Sequence, residues 1–297
     1  MPKVELNGTV IHYQQLGEGP DIVLVHGLYA NVAIWWQRIA LRLARRYRVT
    51  ALDLRGHGYS GMPESGYRAA DLARDVLDLM DHLGVEKPHL LGHSFGGAIV
   101  LACAVQQPDL ISRATLADAW IPSLQKQPPL PTRRSLPALR RRLAARGIEV
   151  RQDMPRVALA YLEELADAPG APRHLPATGR GTGDAASVRP ARMPHAQRRW
   201  LRLMRETTAW SDFQDPEALE PEQLASLHLP VRLIYGRRSS YLASRDALAG
   251  LLPNRELTNV DGVGHYFPVL HPDVLPDILL DETRPISPGA NLESVGI

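Results

Sequence analysis

KPHLLGHSFGGAIVLACAVQQ, residues 87–107, is the stretch that decides the fold. Its first half, KPHLLGHS, is a short apolar run, the pattern of a strand buried on both faces. Its second half, FGGAIVLACAVQQ, has the length and composition of a helix. Between them stands GHSFG (92–96). A serine on a sharp strand-to-helix turn needs glycines on either side, because strand and helix approach too closely there for side chains. The stretch therefore predicts a strand, an elbow and a helix.

Outward from the elbow the same alternation repeats. VELNGTVIHYQQLG (4–17) reads as a hairpin turned by Asn7 and Gly8. DIVLVHG (21–27) and YRVTALDLRG (47–56) are short buried strands, with IWWQRIALRLARR (34–46) as a helix between them. AADLARDVLDLMDHLG (69–84) places Leu72, Val76, Leu79, Met80 and Leu83 on one helical stripe before Gly84. SRATLAD (112–118) is a further strand. LPVRLIYG, SRDALAGLL, RELTNVDG and HPDVLPDILL then resume strand–helix alternation from residue 229. The expected fold class is α/β: a mostly parallel sheet with helices on both faces.

From residue 121 to 227 the alternation stops, and proline, arginine and short helical patterns take over. This reads as an insertion between two strands of one sheet, so residues 1–120 and 228–297 form the core and 121–227 the insertion. Residues 169–194 are poor in large apolar side chains and should be irregular. The tail DETRPISPGANLESVGI has no periodicity and is expected on the surface.

Composition removes several classes of function. With 44% hydrophobic residues the 297-residue chain can bury a core, and a net charge of +2 argues against a dedicated nucleic-acid binder. A single cysteine, Cys103, excludes an internal disulfide and suits a reducing compartment. MPKVELNG has no charged region followed by an apolar one, so no signal peptide is expected there. No apolar run is long enough to span a bilayer. The expected setting is cytoplasmic, with no membrane or nucleic-acid partner.

The chemistry centres on Ser94. A serine hydroxyl needs a base, and His265 in GVGHYFPVLHP follows the last expected strand, in the chain order required for this elbow. His26 and His93 flank turns and are read as packing residues. The histidines show no metal-ligand spacing, and neither metal nor cofactor is expected. The two N–H donors for a tetrahedral oxyanion would come from Phe95, after the nucleophile, and Leu28, after His26-Gly27.

HG (26–27), DLRGHGYS (53–60), GHSFGG (92–97) and GVGH (262–265) together resemble the α/β-hydrolase fold family. The resemblance runs in order from about residue 4 to 280, apart from the insertion. It implies a helical cap at 121–227, between strands six and seven, above the active site. It also implies a serine hydrolase of the carboxylesterase, thioesterase or lactonase type. Carbon–carbon bond hydrolysis, cofactor-free lyase chemistry and a non-catalytic receptor or scaffold are its alternatives. Serine at the nucleophile position argues against the aspartate-dependent dehalogenase and epoxide hydrolase chemistries of this fold. DLRGHGYS is assigned a structural turn.

One departure stands out. The usual G-x-x-D after strand seven would put an acid at position 239, where LIYGRRSSYL (233–242) has Ser239. Asp118 in TLADAW ends strand six, a helix and a strand after Ser94, at the same rim of the sheet. Some members of the resembled family carry their acid there. Asp246 and Asp261 are rivals.

The expected partner is a small-molecule acyl substrate, apolar or carrier-bound. Trp35, Trp120 and Tyr266 are candidate substrate-binding residues, and Trp36, Trp200 and Trp210 lie near the expected mouth or in the cap. Residues 120–210 hold 17 basic and 7 acidic residues, read first as a solvated arginine face and second as an attraction for anionic substrates.

Overall fold

A computed structural model describes residues 1–36, 38–126, 136–145, 195–215, 219–281 and 291–295. The irregular stretch expected at 169–194 lies outside the described residues, as does much of the expected cap.

Among the described residues nine strands form one sheet: β1 (Lys3–Leu6), β2 (Thr9–Leu16), β3 (Asp21–Val25), β4 (Arg48–Leu52), β5 (His89–His93), β6 (Arg113–Ala117), β7 (Val231–Gly236), β8 (Arg255–Val260) and β9 (Asn291–Val295). Their order is β1-β2-β4-β3-β5-β6-β7-β8-β9. The first two pairings, β1–β2 and β2–β4, are antiparallel, and all the others are parallel. The hairpin turns as its sequence requires, with Asn7 and Gly8 both at positive φ (49° and 68°). In the tail, which has no periodicity of its own, residues 291–295 add a parallel edge strand beside β8. That edge supplies a row of unpaired backbone groups, which a segment without periodicity of its own can satisfy.

The described helices are α1 (Ala33–Trp36), α2 (Ile39–Leu43), α3 (Ala69–His82), α4 (Phe95–Gln106), α5 (Leu136–Ala145), α6 (His195–Glu206), α7 (Ala209–Asp212), α8 (Pro221–Ala225), α9 (Leu242–Leu251), α10 (Phe267–Leu270) and α11 (Val274–Leu280). The single helix expected over 34–46 is two short ones. Arg38, at φ −136°, leaves the helical region and separates them.

Strand residues alternate between two cores. Val23 and Val25 of β3 join the cluster under α3 and α4, whereas Ile22 and Leu24 join Trp35, Ile39 and Leu43 on the opposite face. Helix α4 is buried nearly all round, from Phe95 to Ala104, so the elbow sits at the centre of the domain. β6 and β7 are sheet neighbours, so the chain between them leaves the sheet and returns. Among the described residues no helix is long and apolar enough to cross a membrane.

Burial also sets the acid response. His57, His89 and His93 are each pushed down to about 3, first by desolvation and then by nearby cationic or imidazole groups. These folded values lie below the unfolded value, so stability is full above about pH 6.5 and falls as protons bind the unfolded chain. Each such histidine contributes a slope of up to ~1.4 kcal/mol per pH unit below that point. The urea midpoint should drop between pH 7 and pH 5, and an unchanged midpoint would contradict this burial.

Candidate active site

Ser94 closes β5 and opens α4 with φ 57° and ψ −126°. A non-glycine residue held there costs on the order of 1–3 kcal/mol. The surroundings fix it: its N–H donates to Ala117 O (3.1 Å), and its carbonyl accepts from Gly97 N (2.9 Å) and Trp120 N (3.1 Å). Three glycines make the room. A Cβ on Gly27 would lie 2.7 Å from the Ser94 Cβ, one on Gly92 would strike the Gly96 carbonyl, and one on Gly96 the Val25 carbonyl. Phe95 is the first residue of α4, so its N–H has no partner within the helix.

The parallel register sets the next residue. His93 pairs with Ala117, and Ala117 with Ile234, so β5, β6 and β7 end side by side. Asp118 follows β6 directly, fully buried and at φ 48°, a region that aspartate tolerates better than most residues. Its N–H donates to Ile234 O at 2.8 Å. One carboxylate oxygen, Oδ2, accepts from Gly236 N at 2.9 Å. The other, Oδ1, accepts from the Ser239 hydroxyl and lies 3.3 Å from His265 Nδ1. Ser239 Oγ in turn accepts from Tyr241 N at 2.9 Å.

Asp118 and His265 are thus brought together. Asp246 pairs with Arg245 and Asp261 with Arg237, both on the surface. Sequence reasoning gave Ser239 no part, yet its hydroxyl contacts the very carboxylate oxygen that faces the histidine. Its position, where an acid would otherwise stand, was the signal.

His265 is buried between rings. His93 stacks on it with centroids 4.9 Å apart, and Tyr241 lies at 4.3 Å. His93 Nε2–H donates to the His265 carbonyl at 3.0 Å. Burial first, and then the His265 ring, hold His93 neutral, so it places no cation against His265. Similarly, His26 donates from Nδ1 to Gly27 O (2.8 Å) and accepts at Nε2 from Leu54 N (3.1 Å). Asp53, at the head of DLRGHGYS, accepts from Val32 N (2.7 Å), Tyr59 N (2.8 Å) and the His12 ring (2.7 Å). That turn ties down the loop carrying Leu28.

A cavity of about 210 Å³ collects these groups. Leu28, Ser94, Trp120, Tyr241, His265 and Tyr266 are among its lining. Trp35 is not: it is fully buried in the core beneath the sheet, edge-on to His93 at 6.4 Å. Its neighbour Trp36 is partly open instead, because successive helical residues point about 100° apart. Among the described residues no cluster of three or more His, Cys, Asp or Glu could hold a metal ion.

Comparison with known proteins identifies the family of the fold. The chain is 39% identical over 103 residues to an uncharacterised protein of Mycobacterium tuberculosis (strain ATCC 25618 / H37Rv), a match covering 35% of this chain and only 30% of that protein's length. It is similar over nearly its whole length to 2-(acetamidomethylene)succinate hydrolase of Mesorhizobium japonicum, at 28% identity across 92% of this chain and 91% of that one. Among solved structures, a thermophilic esterase from Thermogutta terrifontis superposes with a TM-score of 0.67 at 18% identity, over 96% of this chain and 98% of the other, a likeness of fold. The family model for the alpha/beta hydrolase fold matches residues 20–272, a span that holds the elbow, Asp118 and His265 together, and the chain belongs to that family.

Proposed function

We propose that the protein is a serine hydrolase that cleaves a small acyl substrate, an ester, thioester or lactone, through an acyl-enzyme intermediate. The observation that carries this reading is the approach of Asp118 Oδ1 to His265 Nδ1 at 3.3 Å, beside a cavity that Ser94 also lines. From that position Asp118 can hold the Nδ1 proton of His265 and leave Nε2 to face the substrate.

Ser94 Oγ attacks the acyl carbon while His265 Nε2 takes its proton. The carbonyl oxygen, now negative, is held by the N–H groups of Leu28 and Phe95 and by the N-terminal end of α4. His265 then returns the proton to the leaving oxygen or sulfur, and water repeats the sequence on the acyl-enzyme. Asp118 keeps the Nδ1 proton in place and stabilises the imidazolium. Trp120 and Tyr266 form the wall for the acyl group. Residues 121–227 act as the cap; Arg199 on α6 supports this by donating to the Gly56 carbonyl at 3.0 Å, which fastens the insertion to the core. The name of the rhizobial relative, a hydrolase of an acetamido compound, also fits an acyl-transfer site.

Turnover of p-nitrophenyl acetate by the purified protein tests the reading, and no release of p-nitrophenol above the buffer rate would contradict it. Ser239 offers a finer test. Its hydroxyl donates to the same Asp118 oxygen that faces His265, and a hydrogen bond to a charged group contributes about 1.5–3 kcal/mol. Ser239→Ala should therefore lower kcat roughly 10- to 100-fold and change KM little. A kcat within twofold of the parent would remove Ser239 from the charge network.

A further inference from the structure

A second, larger cavity of about 390 Å³ adjoins the one at Ser94, and Tyr29 and Ala30 line both. That is within the size range of small-molecule sites. Four of its fifteen lining residues are Trp or Tyr, namely Tyr29, Trp36, Tyr59 and Trp200, in a chain that is only 6% aromatic. They come from three separate segments: the loop and helix after β3, the DLRGHGYS turn, and α6. Trp36 is partly open, Tyr59 is 54% exposed, and Tyr29 stands edge-on to Trp200 at 5.5 Å.

The polar lining is largely committed to the protein itself. Asp53 is fully enclosed and accepts from Val32 N, Tyr59 N and the His12 ring. His57 turns Nδ1 to the Arg55 carbonyl at 3.0 Å, and its Nε2 is enclosed and presents no surface to a ligand. Arg199 donates to the carbonyls of Gly56, Ser60 and Gly61. Gln14 and Asn31 are partly exposed neutral amides that water can serve, and Asn31 Oδ1 already accepts from Ala33 N at 2.9 Å. The opposite charges of Arg199 and Asp53 line the same cavity and act on each other, so no net charge draws an ion there. What stays open to a ligand is mainly aromatic and aliphatic surface.

We propose that this cavity holds the far end of the acyl chain, an uncharged flat aromatic group packed against Trp36, Tyr59 and Trp200. The leaving group must stay beside His265, which lines the first cavity and not the second, so the second takes the acyl side. The proposal rests on the acyl-transfer reading of Ser94 and names its substrate class: esters of arylalkanoic acids.

The test series is the methyl esters of ω-(2-naphthyl)alkanoic acids of graded chain length, each paired with the methyl alkanoate that lacks the ring. At the chain length that reaches the second cavity, the ring should raise kcat/KM roughly 100-fold, the factor expected from burying on the order of 100 Å² of apolar surface. Ala196 lines the same cavity from an exposed position on α6, so Ala196→Trp fills the space without entering the core. The ratio of ring ester to plain ester should fall about tenfold or more in Ala196→Trp, and about tenfold in Trp36→Ala. A ratio below roughly threefold at every chain length would overturn the lobe. So would a ratio that Ala196→Trp leaves undiminished, whether or not Trp36→Ala folds. Faster turnover of the 6-carboxy-2-naphthyl ester than of the uncharged one would also overturn it, by giving the cavity to an anion held at Arg199. p-Nitrophenyl acetate, too short for the second cavity, separates the two ideas. Its turnover without any ring preference sinks the lobe alone, whereas its failure sinks the Ser94 reading. In that second case equilibrium dialysis decides: 2-(2-naphthyl)ethanol should bind the wild type about tenfold more tightly than Ala196→Trp, and equal binding overturns the lobe.

Discussion

Asp118→Asn is expected to lower kcat about 10⁴-fold, the loss that follows when a catalytic histidine keeps its neighbour's shape but loses its charge. Asparagine is nearly isosteric and tolerates the positive φ of 48° at this position, so the fold and Tm should change little. An amide oxygen can still accept from Gly236 N, as Asp118 Oδ2 does at 2.9 Å. It cannot balance an imidazolium, and an amide NH₂ turned toward His265 would impose the wrong tautomer. Stopped assays with a p-nitrophenyl ester measure this directly. Because Ser239 Oγ touches the Asp118 carboxylate, adding Ser239→Asp to Asp118→Asn should recover part of the rate from the neighbouring strand end. A single variant with kcat within tenfold of the parent would mean that the acid lies elsewhere.

Ser94→Ala is expected to have the largest effect of all. Without the hydroxyl no acyl-enzyme forms, and kcat should fall by about 10⁴-fold or more, leaving only what the oxyanion donors and binding supply. The elbow should survive. Its three backbone bonds, to Ala117, Gly97 and Trp120, use only main-chain atoms, and the Ser94 side chain is not one of its supports. Circular dichroism and Tm should match the parent, and residual hydrolysis within tenfold, in a pure preparation, would contradict the assignment of the nucleophile.

Much of this arrangement is legible in the sequence because it depends on local chemistry. Gly92, Ser94 and Gly96 mark a close strand–helix approach wherever they follow a buried run, and Asn7-Gly8 marks a two-residue hairpin. The meeting of Asp118 with His265 follows from topology: strands that run parallel end at one rim. What is not legible depends on packing between distant parts. Trp35 and Trp36 are adjacent in a helix, and nothing local says which of them turns toward the sheet; the structure buries Trp35 and leaves Trp36 partly open. The break at Arg38 falls where the sequence has neither proline nor glycine to mark it. Residues 291–295 gain their strand from the open edge of β8. Ser239 reads as a missing acid when taken alone, and becomes the acid's hydrogen-bond donor only when β6 and β7 lie side by side.

Asp118 and Ser239 come from neighbouring strand ends and share one oxygen contact. Under the proposed mechanism β6 supplies the charge that faces His265 Nδ1 and β7 the hydroxyl that steadies it.

The most direct single measurement is intact-protein and peptide mass spectrometry after treatment with a fluorophosphonate. Such a probe reacts with a serine only where a base removes its proton and N–H donors hold the phosphoryl oxygen, so it reads Ser94, His265 and the oxyanion site together. The account predicts one phosphonyl adduct per chain, located on Ser94, formed far more slowly in Asp118→Asn. No adduct, or an adduct on another serine while Ser94 stays unmodified, would contradict it.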